Sequence, residues 1–171
     1  MHTTGNVNLW RRTPAPARPA LLATLIVLAV GLASFVALVW AESAYFGLSP
    51  ITVILASPGP GAPIFWFGTV LLAVALQASA TLALRQRATP FRLIGAVVVL
   101  AIAVVCLGFL VAAGFSLVDY LTAGKLPGDF ADLVGILLFG VPLALVIGGL
   151  NARAFLLEIR QLLPGGTDGQ M

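Results

Sequence analysis

The chain has 171 residues, 60% of them hydrophobic and only 9% charged, and a mean hydropathy of +1.09. A soluble domain carries about 25% charged residues, so these few charges cannot cover a water-facing globule and the solvent of this chain is lipid. The net charge of +3 is small and its arginines are scattered along the chain, which excludes a nucleic-acid surface and points to the anionic headgroups of a bilayer.

Residues 1–19 are polar and proline-bearing, ending in Arg-Arg-Thr-Pro-Ala-Pro-Ala-Arg-Pro. Alternating prolines favour an extended, solvated backbone. Trp10 beside Arg11 and Arg12 suits the headgroup layer as the flank of a first span. The arginine pair is followed by Thr-Pro-Ala-Pro and not by an apolar run, unlike a twin-arginine export signal. A first span is expected over residues 21–40, enough to cross about 30 Å of hydrocarbon. It exceeds the apolar core of a cleaved signal peptide, about 7–15 residues, and reads as a retained anchor. Ala29, Ala33 and Ala37 recur every four residues along it. Small side chains at that spacing let a neighbouring helix approach closely in lipid, where no hydrophobic force drives association.

Residues 42–63 hold a short apolar run, Ile51 to Ala56, between Pro50 and a Ser-Pro-Gly-Pro-Gly turn. It is too short to span and fits a small strand, an interfacial segment or a shallow re-entrant loop. In each case it forms an apolar cap over the bundle, or a lid or docking surface. The second span is expected over 64–84, with Phe65, Trp66 and Phe67 as an aromatic girdle outside and Arg85 and Arg87 as anchors inside. Ala75, Ser79 and Ala83 repeat the small-residue stripe. Gln77, near mid-membrane, must find a partner, because an unpaired amide costs several kcal/mol in hydrocarbon. The candidates are Ser34 of the first span, a carbonyl beside Pro142, or a second copy of the chain.

A short turn then leads through Thr89 and Pro90, the pattern of an N-cap followed by proline. The third span covers 91–118 and is longer than a crossing requires. Gly108 and Gly114 in it are read as helix-contact positions. The next turn carries Asp119, Lys125, Asp129 and Asp132. The last two suit a cap and first turn of a fourth span. That span, 133–150, contains Pro142, where a kink is expected. The stretch 151–163 reads as an amphipathic extension along the inner leaflet, and 164–171 as a disordered tail.

The basic residues fix an orientation. Arg11, Arg12, Arg18, Arg85, Arg87, Arg92, Arg153 and Arg160 fall on one side of the four runs, and only Lys125 falls on the other. Arginine and lysine are retained on the cytoplasmic side. The expected fold is therefore an all-α integral membrane protein, a single domain over 20–163 forming an antiparallel four-transmembrane-helix bundle with both termini cytoplasmic. The alanine- and leucine-rich, arginine-preferring composition suggests a bacterial plasma membrane.

Function follows by exclusion. The single cysteine, Cys106, permits no internal disulfide and no Cys-ligated centre, and the single histidine, His2, permits no haem held between histidines. No cofactor or metal is expected. Nor is there a nucleophile–base set or a phosphate cradle, so the chain is not read as an enzyme. The middle of each span lacks Asp, Glu, Lys and Arg, which disfavours proton and ion pathways. The primary expectation is a non-catalytic accessory or structural protein packing on a membrane partner or on itself. The alternative is a homo-oligomeric transporter or channel for a neutral or lipid-like solute, with Gln77, Ser34 and Pro142 along its path.

Overall fold

The computed structural model describes residues 13–56, 63–123 and 136–163. The expectations for Trp10, Arg11 and Arg12, for Lys125, Asp129 and Asp132, for residues 57–62 and for the tail 164–171 lie outside the described residues, as do the side chains of Phe65 and Trp66. Every described element is helical, and four helices are long and apolar enough to cross a membrane.

Helix α1, Ala17–Phe46, opens directly after a proline turn in which the Ala17 amide donates to the Pro14 carbonyl at 3.0 Å. Its 30 residues extend about 45 Å, beyond both ends of the expected span. Gly47 ends it in the left-handed conformation, φ 63°, which a side chain would strain. The cap is closed by the Gly47 and Leu48 amides, both donating to the Ser43 carbonyl.

The short apolar run is neither a strand nor an irregular loop. It forms α2, Pro50–Ala56, whose first turn is capped by Ser49: its hydroxyl accepts from the Thr52 amide at 3.2 Å. Serine followed by proline is the N-cap signal, and it outweighed the β-branched composition. Val53 is buried while Ile51 and Leu55 are exposed, so one side chain pins this helix against its neighbours, α1 and α3 (Pro63–Arg85). After a turn at residues 86–88, α4 runs 35 residues, Thr89–Ala123.

The last helix carries the expected proline beside a change of helix type. A π-helical turn, Ile136–Gly140, precedes α5, Val141–Leu162, and Pro142 lies in the first turn of that helix. The π turn leads straight into this helix, and proline's missing amide removes one intrahelical bond just past the point where the wider turn gives way to the α-helix. Residues 151–162, the expected amphipathic extension, continue α5 across Gly148 and Gly149 without a break.

Each of α1 and α4 packs against both α3 and α5, closing a four-membered ring. The core at one end of the ring is built from Ala17, Ala20, Ala80, Leu84, Val99 and Ala154. Large apolar side chains such as Leu72, Val105, Leu121 and Phe115 point outward instead. Small residues inside and large ones outside is the arrangement expected when the surroundings are as apolar as leucine and close backbone approach supplies the packing.

α3 and α4 come backbone to backbone at Gly95. A Cβ built on Gly95 would sit 3.0 Å from the Leu84 amide nitrogen and 3.1 Å from the Ala80 carbonyl oxygen. Backbone cannot rotate aside as a side chain can. Gly95→Ala is therefore expected to cost about 1 kcal/mol by overpacking, read from unfolding in detergent. Among the described residues, a Cβ on Gly108 or Gly114 meets nothing within 4 Å, so neither glycine makes a helix contact there. Alanine at either should leave stability unchanged or slightly raised.

Candidate functional site

The buried polar side chains of the long helices form two clusters, both made of groups from different helices. In the first, Gln77 of α3 is almost fully buried. Its amide nitrogen donates to Asn151 Oδ1 on α5 at 2.8 Å and to the Ala20 carbonyl on α1 at 3.3 Å. Asn151 is itself oriented by α5, since its Nδ2 donates to the Ile147 carbonyl at 2.9 Å. That bond spends the amide nitrogen backward and presents the oxygen to Gln77. Beside this pair, the Thr24 and Thr81 hydroxyls lie 3.2 Å apart across α1 and α3. Each also lies 2.9 Å from a carbonyl one turn earlier, Ala20 and Gln77 respectively. Each hydroxyl has one proton, so one donates across the interface while the other donates back into its own helix. Three helices are thus tied through a single buried amide.

The second cluster ties α4 to α5 near the end of the ring. Arg92 Nη2 donates to Glu158 Oε2 at 3.0 Å and to Gln161 Oε1 at 2.7 Å, and Arg92 Nε lies 2.8 Å from Glu158 Oε1. The Glu158 side chain is fully buried, whereas Arg92 retains 23% exposure. The planar guanidinium meets the carboxylate with two nitrogens while its outer edge reaches solvent or headgroups.

The expected partner of Gln77 was Ser34, a carbonyl beside Pro142, or another copy. Asn151 takes that place, and Ser34 instead donates to the Gly31 carbonyl of its own helix at 3.0 Å. Ser34 and Pro142 do meet, in an open groove of about 500 Å³ between α1 and α5, which Ile26, Val30, Phe139 and Val146 also line. Gln77 does not line that groove, so within one chain it lies apart from the other two residues of the expected path. Ala29, Ala33, Ala37, Ala75 and Ser79 are exposed and Ala83 half-buried. The α1–α3 contact runs through other positions, with Gly31 against Val70 and Phe35 5.1 Å from Phe67 between ring centres. The stripes therefore face outward, because the Gln77 bonds turn Ala20 and Thr24 toward α3.

In the sequence Arg92 stands out only as a cation that orients the chain, and Asn151, Glu158, Thr24 and Thr81 carry no expectation of a contact. A signal for Asn151 and Glu158 existed. Ala144, Asn151 and Glu158 recur at seven-residue intervals with Ala154 between them, and these four are the buried residues of α5. The Gly148-Gly149 pair and the polar composition after it hid that face. Among the described residues, no three His, Cys, Asp or Glu side chains come together as a metal cage. Most of the polar contacts of both clusters are made between helices, with Glu158 Oε1 held by the ion contact to Arg92 alone, an arrangement suited to holding helices in register.

Comparison of the chain with protein-family models, with curated proteins and with solved structures finds no match.

Proposed function

We propose that this is a non-catalytic accessory or structural membrane protein that works by packing against a membrane partner or a second copy of itself. Its core is an antiparallel four-helix bundle in a plasma membrane, bacterial by composition, with both termini and the Arg85–Arg92 turn in the cytoplasm. Contacts between helices support the antiparallel arrangement, since they pair early residues of one helix with late residues of the next. Gly31 meets Val70 where Ala20 meets Gln77, and Arg92 meets Glu158 where Phe109 meets Gly140. The arginine distribution supports the orientation.

The observation that carries the functional reading is the commitment of Gln77. A solute path needs polar groups that face an opening, and this amide is buried against Asn151 and Ala20. The outward stripes at Ala29, Ala33 and Ala37 and at Ala75 and Ser79 leave smooth faces on which another helix packs. The test is purification in mild detergent or native lipid discs. A stoichiometric membrane partner or a defined homo-oligomer, without solute flux in liposomes, is expected. The groove holding Ser34 and Pro142 supports a second reading, passage of a neutral or lipid-like solute. Flux in liposomes containing only this chain, lost on narrowing the groove with Ser34→Phe, would replace the first reading with the second.

A further inference from the structure

A second cavity differs in kind from the apolar groove. It has about 390 Å³ and lies between the start of α1 and the last turns of α5, lined by Ala15, Arg18, Pro19, Leu22, Leu150, Arg153 and Leu157. Two arginines from different helices thus line one hollow whose remaining lining residues are apolar. Neither arginine forms an ion pair with a carboxylate among the described residues; the only such pair there is Arg92 with Glu158. Arg18 is half-buried and held by one bond from its Nε to the Thr13 carbonyl at 3.0 Å. That bond aims the side chain and leaves the two terminal nitrogens of the fork available. Arg153 is exposed and adds a second fork from the facing helix.

We propose that this cavity binds the phosphate of an anionic membrane phospholipid. Two guanidinium forks match the oxygens of a phosphodiester. Basic pockets between transmembrane helices at the membrane surface hold anionic headgroups for this reason. The apolar walls distinguish a lipid from a free phosphate ion. Pro19, Leu22, Leu150 and Leu157 line the cavity together with the arginines, a surface for the glycerol and the first carbons of an acyl chain, which inorganic phosphate would leave bare. A lipid seated there bridges α1 and α5, whose contact at this end has no salt bridge of its own among the described residues. This site does not depend on which compartment the arginine face meets, nor on the identity of a protein partner.

The test uses the full chain in a neutral detergent, with phosphatidylglycerol as the probe and phosphatidylcholine and inorganic phosphate as comparisons. Binding is read by native mass spectrometry and by the shift in thermal unfolding. Phosphatidylglycerol should bind with defined stoichiometry and raise the unfolding temperature, while the two comparisons do neither. Each basic residue near a membrane surface contributes roughly fivefold in affinity for anionic lipid. Arg18→Gln/Arg153→Gln should therefore weaken binding roughly thirtyfold, and Arg85→Gln/Arg87→Gln, which alters two exposed arginines outside the cavity, should leave it unchanged. Arg153→Gln alone serves if the double variant fails to fold, because Arg153 is exposed and has no bond to lose among the described residues. It should weaken binding about fivefold. Equal loss in the two double variants would show diffuse attraction in place of a site and overturn the proposal. So would unchanged binding in Arg153→Gln, or equal stabilisation by inorganic phosphate.

Discussion

Arg92→Leu should be the most damaging single substitution in the described part of the chain, lowering stability by about 3 kcal/mol. The reason is the partner it abandons. Glu158 is fully buried, and Arg92 supplies both its hydrogen bond at 3.0 Å and its close ion contact at 2.8 Å. Removing one member of a buried pair leaves an uncompensated charge, at a cost of about 3–5 kcal/mol. The lower end applies because Arg92 retains 23% exposure and solvent or headgroups reach the vacated space. The diagnostic experiment is the double variant. Arg92→Leu/Glu158→Leu removes both charges from an apolar setting and should recover most of the loss, since a well-packed apolar pair replaces a buried ion pair at little net cost. Equilibrium unfolding in mixed detergent and SDS measures all three proteins. Strictly additive losses would show that the two side chains do not act as a pair.

Gln77→Leu is expected to cost about 2 kcal/mol. The substitution keeps the volume nearly constant but leaves Asn151 Oδ1 and the Ala20 carbonyl without their Gln77 donor. Orphaning a buried acceptor costs about 1–3 kcal/mol. Hydrogen bonds between transmembrane helices average nearer 0.6 kcal/mol, because the separated helices find other partners in the bilayer. Two acceptors are affected here, and Ala20 keeps its contact with Thr24, so an intermediate value follows. Asn151→Leu should cost a similar amount, and the double variant less than the sum. The coupling in such a cycle isolates the Gln77–Asn151 bond. The same variants divide the functional readings. If Gln77 holds helices together, stability and packing fall; if it lined a path, stability would stand and only flux would be lost.

Much of the architecture is written in features that need no tertiary information. Four apolar runs interrupted by charged or proline-bearing turns became four long helices, because a backbone in lipid must satisfy its own hydrogen bonds. The α3–α4 turn at Arg85–Thr89 was legible from its two arginines and the Thr-Pro step. The ends of helices were less so. α1 continues to Phe46, six residues beyond Trp40, since Glu42 and Ser43 do not stop a helix and Gly47 does. Ser49-Pro50 carried a helix-start signal that the β-branched run after it obscured.

The candidate site was legible in half. The need of Gln77 for a partner followed from the cost of an orphan amide, but the partner itself did not. Asn151 lies past two glycines in a stretch of mixed polarity, and hydropathy alone ends the span before it. Only the seven-residue recurrence of Ala144, Asn151 and Glu158 reveals one buried face running through both parts. The small-residue stripes illustrate the opposite limit. Spacing identifies a smooth face on a helix, yet which smooth face turns inward is decided elsewhere, here by the polar contacts of Ala20, Thr24 and Gln77.

The topology can be read directly with single cysteines in a chain whose own thiol is removed by Cys106→Ala. Leu48→Cys and Gln86→Cys both place an exposed thiol between helices, at opposite ends of the bundle, and leave every arginine intact. In intact cells a membrane-impermeant maleimide should label the cysteine at 48 at once and the cysteine at 86 only after permeabilisation. Labelling of position 86 in intact cells, or both positions responding alike, would contradict four crossings with the arginine-bearing turn in the cytoplasm.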